Sequence, residues 1–96
     1  MVITMLEARV DEGMISGLVD SFNASGDSLP SAIVESFLIR ERNSDIWRIV
    51  TVWESQEALD GYRTSVDTPE VVLIFRAASA EPSLSVSEVS AHVSHE

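Results

Sequence analysis

Arg48-Ile-Val-Thr-Val-Trp-Glu-Ser-Gln-Glu-Ala-Leu-Asp-Gly-Tyr62 is the stretch in which one periodicity gives way to another. From Ile46 onward, Trp47, Ile49, Thr51 and Trp53 share one face of a period-two pattern while Ile46, Arg48, Val50 and Val52 share the other, which predicts a strand over 46–53. Both faces are largely apolar, so both are expected to be covered. Ser55 then offers a capping hydroxyl, and Gln56 and Glu57 stand in a first turn where an acidic group suits the positive end of the helix dipole. Ala58, Leu59 and Tyr62 fall on one side of the helix that follows.

Upstream, Glu41-Arg-Asn-Ser-Asp45 is a polar hairpin loop, and Ala32 to Arg40, rich in Ile, Val and Phe, reads as the strand paired with it. Asp27-Ser-Leu-Pro-Ser31 is turn chemistry. Before it, Met14, Ile15, Leu18, Val19 and Phe22 form one apolar helical stripe, with Asp11 as its cap and an end near Gly26-Asp27. Val2 to Val10 alternates as a first strand. Downstream, Thr68-Pro69-Glu70 starts a further helix, with Pro at its first position. The apolar run Val71 to Phe75 leaves a strand open as a competing reading. Leu84 to Val93 alternates as a last strand. The order is β-α-β-β-α-β with the second helix broken in two, an α+β, ferredoxin-like split βαβ arrangement. Its antiparallel sheet carries helices on one face only.

Ninety-six residues have room for one domain, expected over 1–96, burying somewhat over ~60% of the unfolded surface. A 45% apolar content beside 16 acidic residues points to a second copy covering apolar surface, hence a homodimer. The net charge of -10 repels phosphate backbones and anionic membrane surfaces, so neither nucleic acid nor membrane is an expected partner of this acidic protein. With no Cys, a disulfide framework, a thiolate metal site and a thiol nucleophile are all excluded. No basic, apolar leader opens the chain and no uncharged apolar run approaches ~18 residues, so the expectation is a soluble, cytoplasmic protein.

The Arg48–Tyr62 stretch, with its Trp-Glu-Ser followed by Ala and an aromatic, resembles the strand-to-helix junction of antibiotic biosynthesis monooxygenase domains. Glu35-Ser-Phe-Leu-Ile-Arg40 matches their second strand, and the likeness runs through essentially the whole chain. It implies a dimeric α+β barrel with a pocket between the sheet and helices of each protomer. One branch of that family oxidises aromatic polyketides without a cofactor, through a substrate carbanion that reduces oxygen, helped by Trp, Asn, Tyr and Arg. Trp53 matches the Trp and Arg76 the Arg after a small shift. Ile49 and Leu59 stand where Asn and Tyr are expected, with Tyr62 nearly one turn further on. In the haem-degrading branch the key His, Asn and Trp correspond here to Val72, Ala8 and Tyr62, which leaves haem without a ligand.

The resemblance therefore implies a cofactor-independent monooxygenase for a small aromatic or quinol-like molecule, with no cofactor and no metal. Trp53, Tyr62 and Arg76 are its catalytic candidates. Each has a plainer role open to it. Trp53 closes a strand against helices as core, Tyr62 sits half-buried with a wet hydroxyl, and Arg76 caps its helix or pairs with a surface carboxylate. Glu7 and Glu35 are candidate bases if buried, and otherwise face water or a cation such as Arg9 or Arg48. His92 and His95, the only imidazoles, would project to opposite faces of a strand and lack a third ligand. A non-catalytic dimeric module of the same fold is the competing reading. In it Ile49, Leu59 and Phe75 fill the pocket, and a cavity above ~300 Å³ would argue against it.

Overall fold

The segments that alternate with period two become strands, and those with a helical stripe become helices, in the order expected. A computed structural model describes residues 1–95. Its elements are β1 (Val2–Arg9), α1 (Ile15–Ala24), β2 (Ile33–Arg40), β3 (Ile46–Trp53), α2 (Gln56–Ser65), α3 (Glu70–Ala77) and β4 (Ser83–Glu88). The strands make one antiparallel sheet in the order β2-β3-β1-β4, which is the ferredoxin-like α+β arrangement. Among the described residues no helix is long and apolar enough to cross a membrane.

β3 is hydrogen-bonded on both edges, and its alternation becomes a burial pattern. Trp47, Ile49, Thr51 and Trp53 are buried beneath the helices, while Ile46, Arg48, Val50 and Val52 are only half-buried on the opposite face. β1 repeats this with Val2, Thr4, Leu6 and Ala8 inward. Register sets whole rows across the sheet: Leu38, Ile49, Leu6 and Leu84 in one, and Ser36, Thr51, Thr4 and Val86 in the next. Leu18 of α1 and Ile74 and Phe75 of α3 close over the first row, with Phe75 fully enclosed. A smaller cluster of Val2, Trp53 and Leu59 forms the other end of the core.

The helix ends follow local chemistry. Ser55 Oγ accepts the Ala58 N–H at 3.1 Å and caps α2, as its sequence position predicts. Asp11 makes no side-chain cap. Its carbonyl instead accepts the Met14 N–H at 2.9 Å in a 3-10 turn, Glu12–Met14, that leads into α1. Residues 71 to 75 are helical, which resolves the strand alternative. α3 ends in a Schellman turn: Ser79 is left-handed (φ 58°), its N–H bonds the Arg76 carbonyl, and the Ala80 N–H bonds the Phe75 carbonyl, each at 3.0 Å.

The last strand is shorter than its alternation predicts, ending at Glu88 rather than Val93. β4 pairs only with β1, and Glu88 stands opposite Val2, the first residue of β1, where the paired register ends. A lone bond from the Val89 N–H to the Met1 carbonyl (3.1 Å) follows.

Helices cover one face of the sheet. The other carries Ile3, Met5, Val50 and Val52, half-buried, with Phe37 and Ile39 exposed on the edge strand β2. An ion pair crosses it, Arg48 Nε to Glu7 Oε1 at 2.6 Å, with Glu41 at 3.4 Å, and these carboxylates raise the Arg48 pKa. Ser55→Ala is expected to cost about 1 kcal/mol, read from the urea midpoint at unchanged slope.

Candidate functional site

Among the described residues one concavity, about 690 Å³, lies open at the sheet end among Arg9, Arg40 and Asp45. Its guanidinium groups are already engaged. Arg9 pairs with Asp45, while Arg40 donates to the Ser44 carbonyl (2.8 Å), approaches Glu12 (3.6 Å) and lies over the Trp47 ring at 5.4 Å. A shallow groove of about 340 Å³ runs between α1 and α3, where Ser28 Oγ donates to the Glu70 carboxylate at 3.0 Å. Neither presents an unused reactive group.

The third concavity is a cleft between sheet and helices. Thr4, Leu6 and Trp53 form its floor, and Leu59, Tyr62 and Arg63 of α2 form one wall. Pro69, Val71 and Val72 form the other wall, with Leu84 at the open edge. Leu59, Tyr62 and Arg63 stand at i, i+3 and i+4, the spacing that aligns side chains along one helix face. The enclosed volume is only about 40 Å³. That is room for roughly three waters, at about 10–15 Å³ each on this measure, and far below what an aromatic ring needs.

Two expected residues meet here. The Trp53 and Tyr62 rings lie 5.3 Å apart, tilted by 39°, a favourable aromatic contact. Trp53 Nε1 donates to Thr4 Oγ1 at 3.1 Å in a fully buried bond. The Tyr62 oxygen accepts the Glu70 N–H at 3.1 Å, tying α2 to the start of α3. The phenolic proton has no acceptor among the described residues, so the hydroxyl can still donate.

Arg76 does not join them. α3 turns Ile74 and Phe75 into the core, so the next residue points away from it, and Glu81 just beyond the Schellman turn captures the guanidinium. The contacts are 3.2 Å to Nε and 3.0 Å to Nη2, with half of the Arg76 side chain exposed. This hydrogen bond raises the Arg76 pKa and lowers that of Glu81. The strand carboxylates are also elsewhere. Glu7 and Glu35 lie on the face of the sheet opposite the helices, the first bonded to Arg48 and the second exposed. His92 and His95 are exposed beyond the end of β4, in no strand. No group of three or more His, Cys, Asp or Glu among the described residues is placed to hold a metal ion.

Neither a family model nor a curated protein matches the chain by sequence. Its structure is similar to that of a Deinococcus radiodurans protein assigned to antibiotic biosynthesis monooxygenases, with a TM-score of 0.74 at 11% identity over 100% of this chain and 99% of that one. SnoaB, a cofactor-independent oxygenase from Streptomyces nogalater, superposes with a TM-score of 0.71 at 15% identity, covering 98% of this chain and 97% of its own. The fold is that of the antibiotic biosynthesis monooxygenases. A further structure with this monooxygenase fold is MhuD of Mycobacterium tuberculosis, a haem degrader seen with two haems in its active site, at TM-score 0.72 and 20% identity over 98% of this chain and 100% of that one. At such identities the likeness establishes architecture.

Sequence reasoning passed over two polar residues of the cleft, Thr4 and Arg63. Thr4 is the one hydroxyl among Val2, Leu6, Ala8 and Val10, and a polar residue in an apolar alternation is the signal that marks it. Arg63 is signalled by its place four residues after Leu59. Thr4→Val, similar in volume, leaves the buried Trp53 N–H without its acceptor and is expected to cost about 1–3 kcal/mol in urea unfolding, whereas Thr4→Ser retains most of the stability. Because Glu81 titrates lower in the folded state, its pairing stabilises above the ordinary carboxylate range and is lost as pH falls through the folded value. The stability gap between the parent and Glu81→Gln is therefore expected at pH 7 and should close in acid melts.

Proposed function

We propose that the chain is a cofactor-independent monooxygenase acting on a small aromatic, polyketide-like or quinol-like molecule held in the cleft. The observation that carries this reading is the Trp53–Tyr62 pair. It sets two aromatic rings at the closed end of an apolar recess and leaves one phenolic proton free to donate. Trp53 offers a ring for stacking, and Tyr62 a hydrogen bond to a carbonyl or phenolate oxygen. The shared fold of SnoaB, itself a cofactor-independent oxygenase, supports it.

Such a reaction asks little of the protein. A substrate methylene flanked by aromatic or carbonyl groups gives a proton to water, and the carbanion passes an electron to O2. The two radicals combine into a peroxide, which takes up a proton and then loses water to leave a carbonyl. Two C–H bonds break, one oxygen atom enters the product and the other leaves as water, so the substrate supplies all the electrons. Water is assigned as the base because Glu7 and Glu35 face away from the cleft. A homodimer is part of the proposal: the uncovered sheet face, with Phe37 46% and Ile39 43% exposed beside Met5 and Val50, is suited to a second copy.

A second reading, a non-catalytic ligand-binding or structural module, is favoured by one observation. The enclosed volume is about 40 Å³, with Ile49, Leu59 and Phe75 packed as core, so the walls of the recess must part before a ring can enter. Oxygen uptake with a panel of anthrones, dihydroxynaphthalenes and quinols in metal-free buffer separates the two. Cofactor-free uptake that falls at least ~10-fold in folded Trp53→Phe or Tyr62→Phe, about 1.4 kcal/mol, and is unchanged in Arg76→Ala, is the expected result. Uptake at the uncatalysed rate for the whole panel favours the module.

A further inference from the structure

We infer that Arg63 is the charge-recognising residue of the cleft, and that the ligand is an amphipathic anion: a flat apolar body with a phenolate, enolate or carboxylate oxygen at its edge. This rests on the reading that the cleft takes an aromatic molecule, and it names that molecule's charge.

The argument begins with charge pairing. All six basic residues are arginines, set against 16 acids. Arg9, Arg40, Arg48 and Arg76 each have a carboxylate within 4 Å. Among the described residues Arg42 and Arg63 have none, and of those two only Arg63 lines the cleft. In so acidic a chain, a guanidinium that finds no carboxylate and stands over an apolar recess has its charge available to a ligand. The net charge of -10 repels anions at long range, so retaining one requires a local cation.

The remaining polar groups agree in sign. Thr4 is only 8% exposed, its oxygen accepts from Trp53, and its own proton has no acceptor among the described residues, so it is free to donate. The Tyr62 oxygen accepts from Glu70, which likewise leaves its proton. Arg63 has donors alone. No carboxylate among the described residues lines the cleft. Three side chains that give hydrogens, one of them charged, and none that repels a negative charge, are complementary to an oxygen anion on a ring.

Arg63 also lies in the last turn of α2, where a cation favours the negative end of the helix dipole. That role affects folding but not the choice between ligands, so the test compares ligands. Calorimetric titration of the parent protein with 2-naphthoate and its neutral near-isostere 2-naphthamide is expected to show at least ~10-fold tighter binding of the anion. Arg63→Gln should bring the ratio near one by weakening naphthoate while naphthamide affinity holds, and Arg63→Lys should keep part of the preference. A preference that survives in Arg63→Gln, or equal binding of both probes by the parent, overturns the assignment of Arg63 while leaving an aromatic-binding cleft in place. Absence of binding by either probe overturns both. Oxygen uptake is a separate measurement, so failure of the oxygenase reading alone leaves the anion preference intact.

Discussion

Strand β3 is bonded on both edges and buried on one face, and the rest of the molecule is arranged around that circumstance. A strand with partners on both sides cannot slip register by one residue without turning Trp47, Ile49 and Trp53 out of the core and Arg48 into it. Two indoles and an isoleucine committed to one face require cover, which α1 and α3 supply to Trp47 and Ile49 through Leu18, Ile74 and Phe75, and α2 supplies to Trp53 through Leu59. The helices lie on that side because it is where burial outweighs the entropy of ordering them. The hydroxyls of Ser36 and Thr51 tolerate the same face because they bond each other at 2.9 Å. The Trp47 N–H is the exception: it is buried and finds no partner among the described residues, and nothing in the structure accounts for it.

The cleft arises where this cover thins. Toward the Trp53 end of β3 the sheet is roofed by α2 and the start of α3, and β4 lies beyond their reach, which leaves Leu84 and Val86 about half exposed. Polar groups enter such a place only with partners. The indole N–H is retained by Thr4, and the Tyr62 oxygen by a backbone N–H at the first residue of α3, which has no side-chain cap of its own. These bonds orient the two rings, and the second ties the helix whose movement would enlarge the recess. Glu70 is held again through its carboxylate by Ser28, so the start of α3 is tethered from two directions.

Charge is arranged differently on the two faces of the sheet. On the uncovered face Arg48 pairs with both Glu7 and Glu41 among apolar neighbours, which leaves the trio with one net negative charge. On the covered face no acid among the described residues lines the cleft.

Much of this was legible from the residues alone. Period-two and helical alternation determined the order of elements, the inward face of β3 and the cap at Ser55, because side-chain direction in a strand or helix is a local property of the backbone. The junction from Arg48 to Tyr62 likewise placed Trp53 and Tyr62 on adjoining elements. Tertiary structure decided what depends on partners distant in the chain. β4 stops at Glu88, opposite the first residue of β1, Arg76 turns outward because Phe75 occupies the core and Glu81 lies past the turn, and Thr4 matters because Trp53, 49 positions later, needs an acceptor. Which arginine faces the cleft was settled the same way, by where the register of α2 over the sheet leaves a guanidinium without a carboxylate.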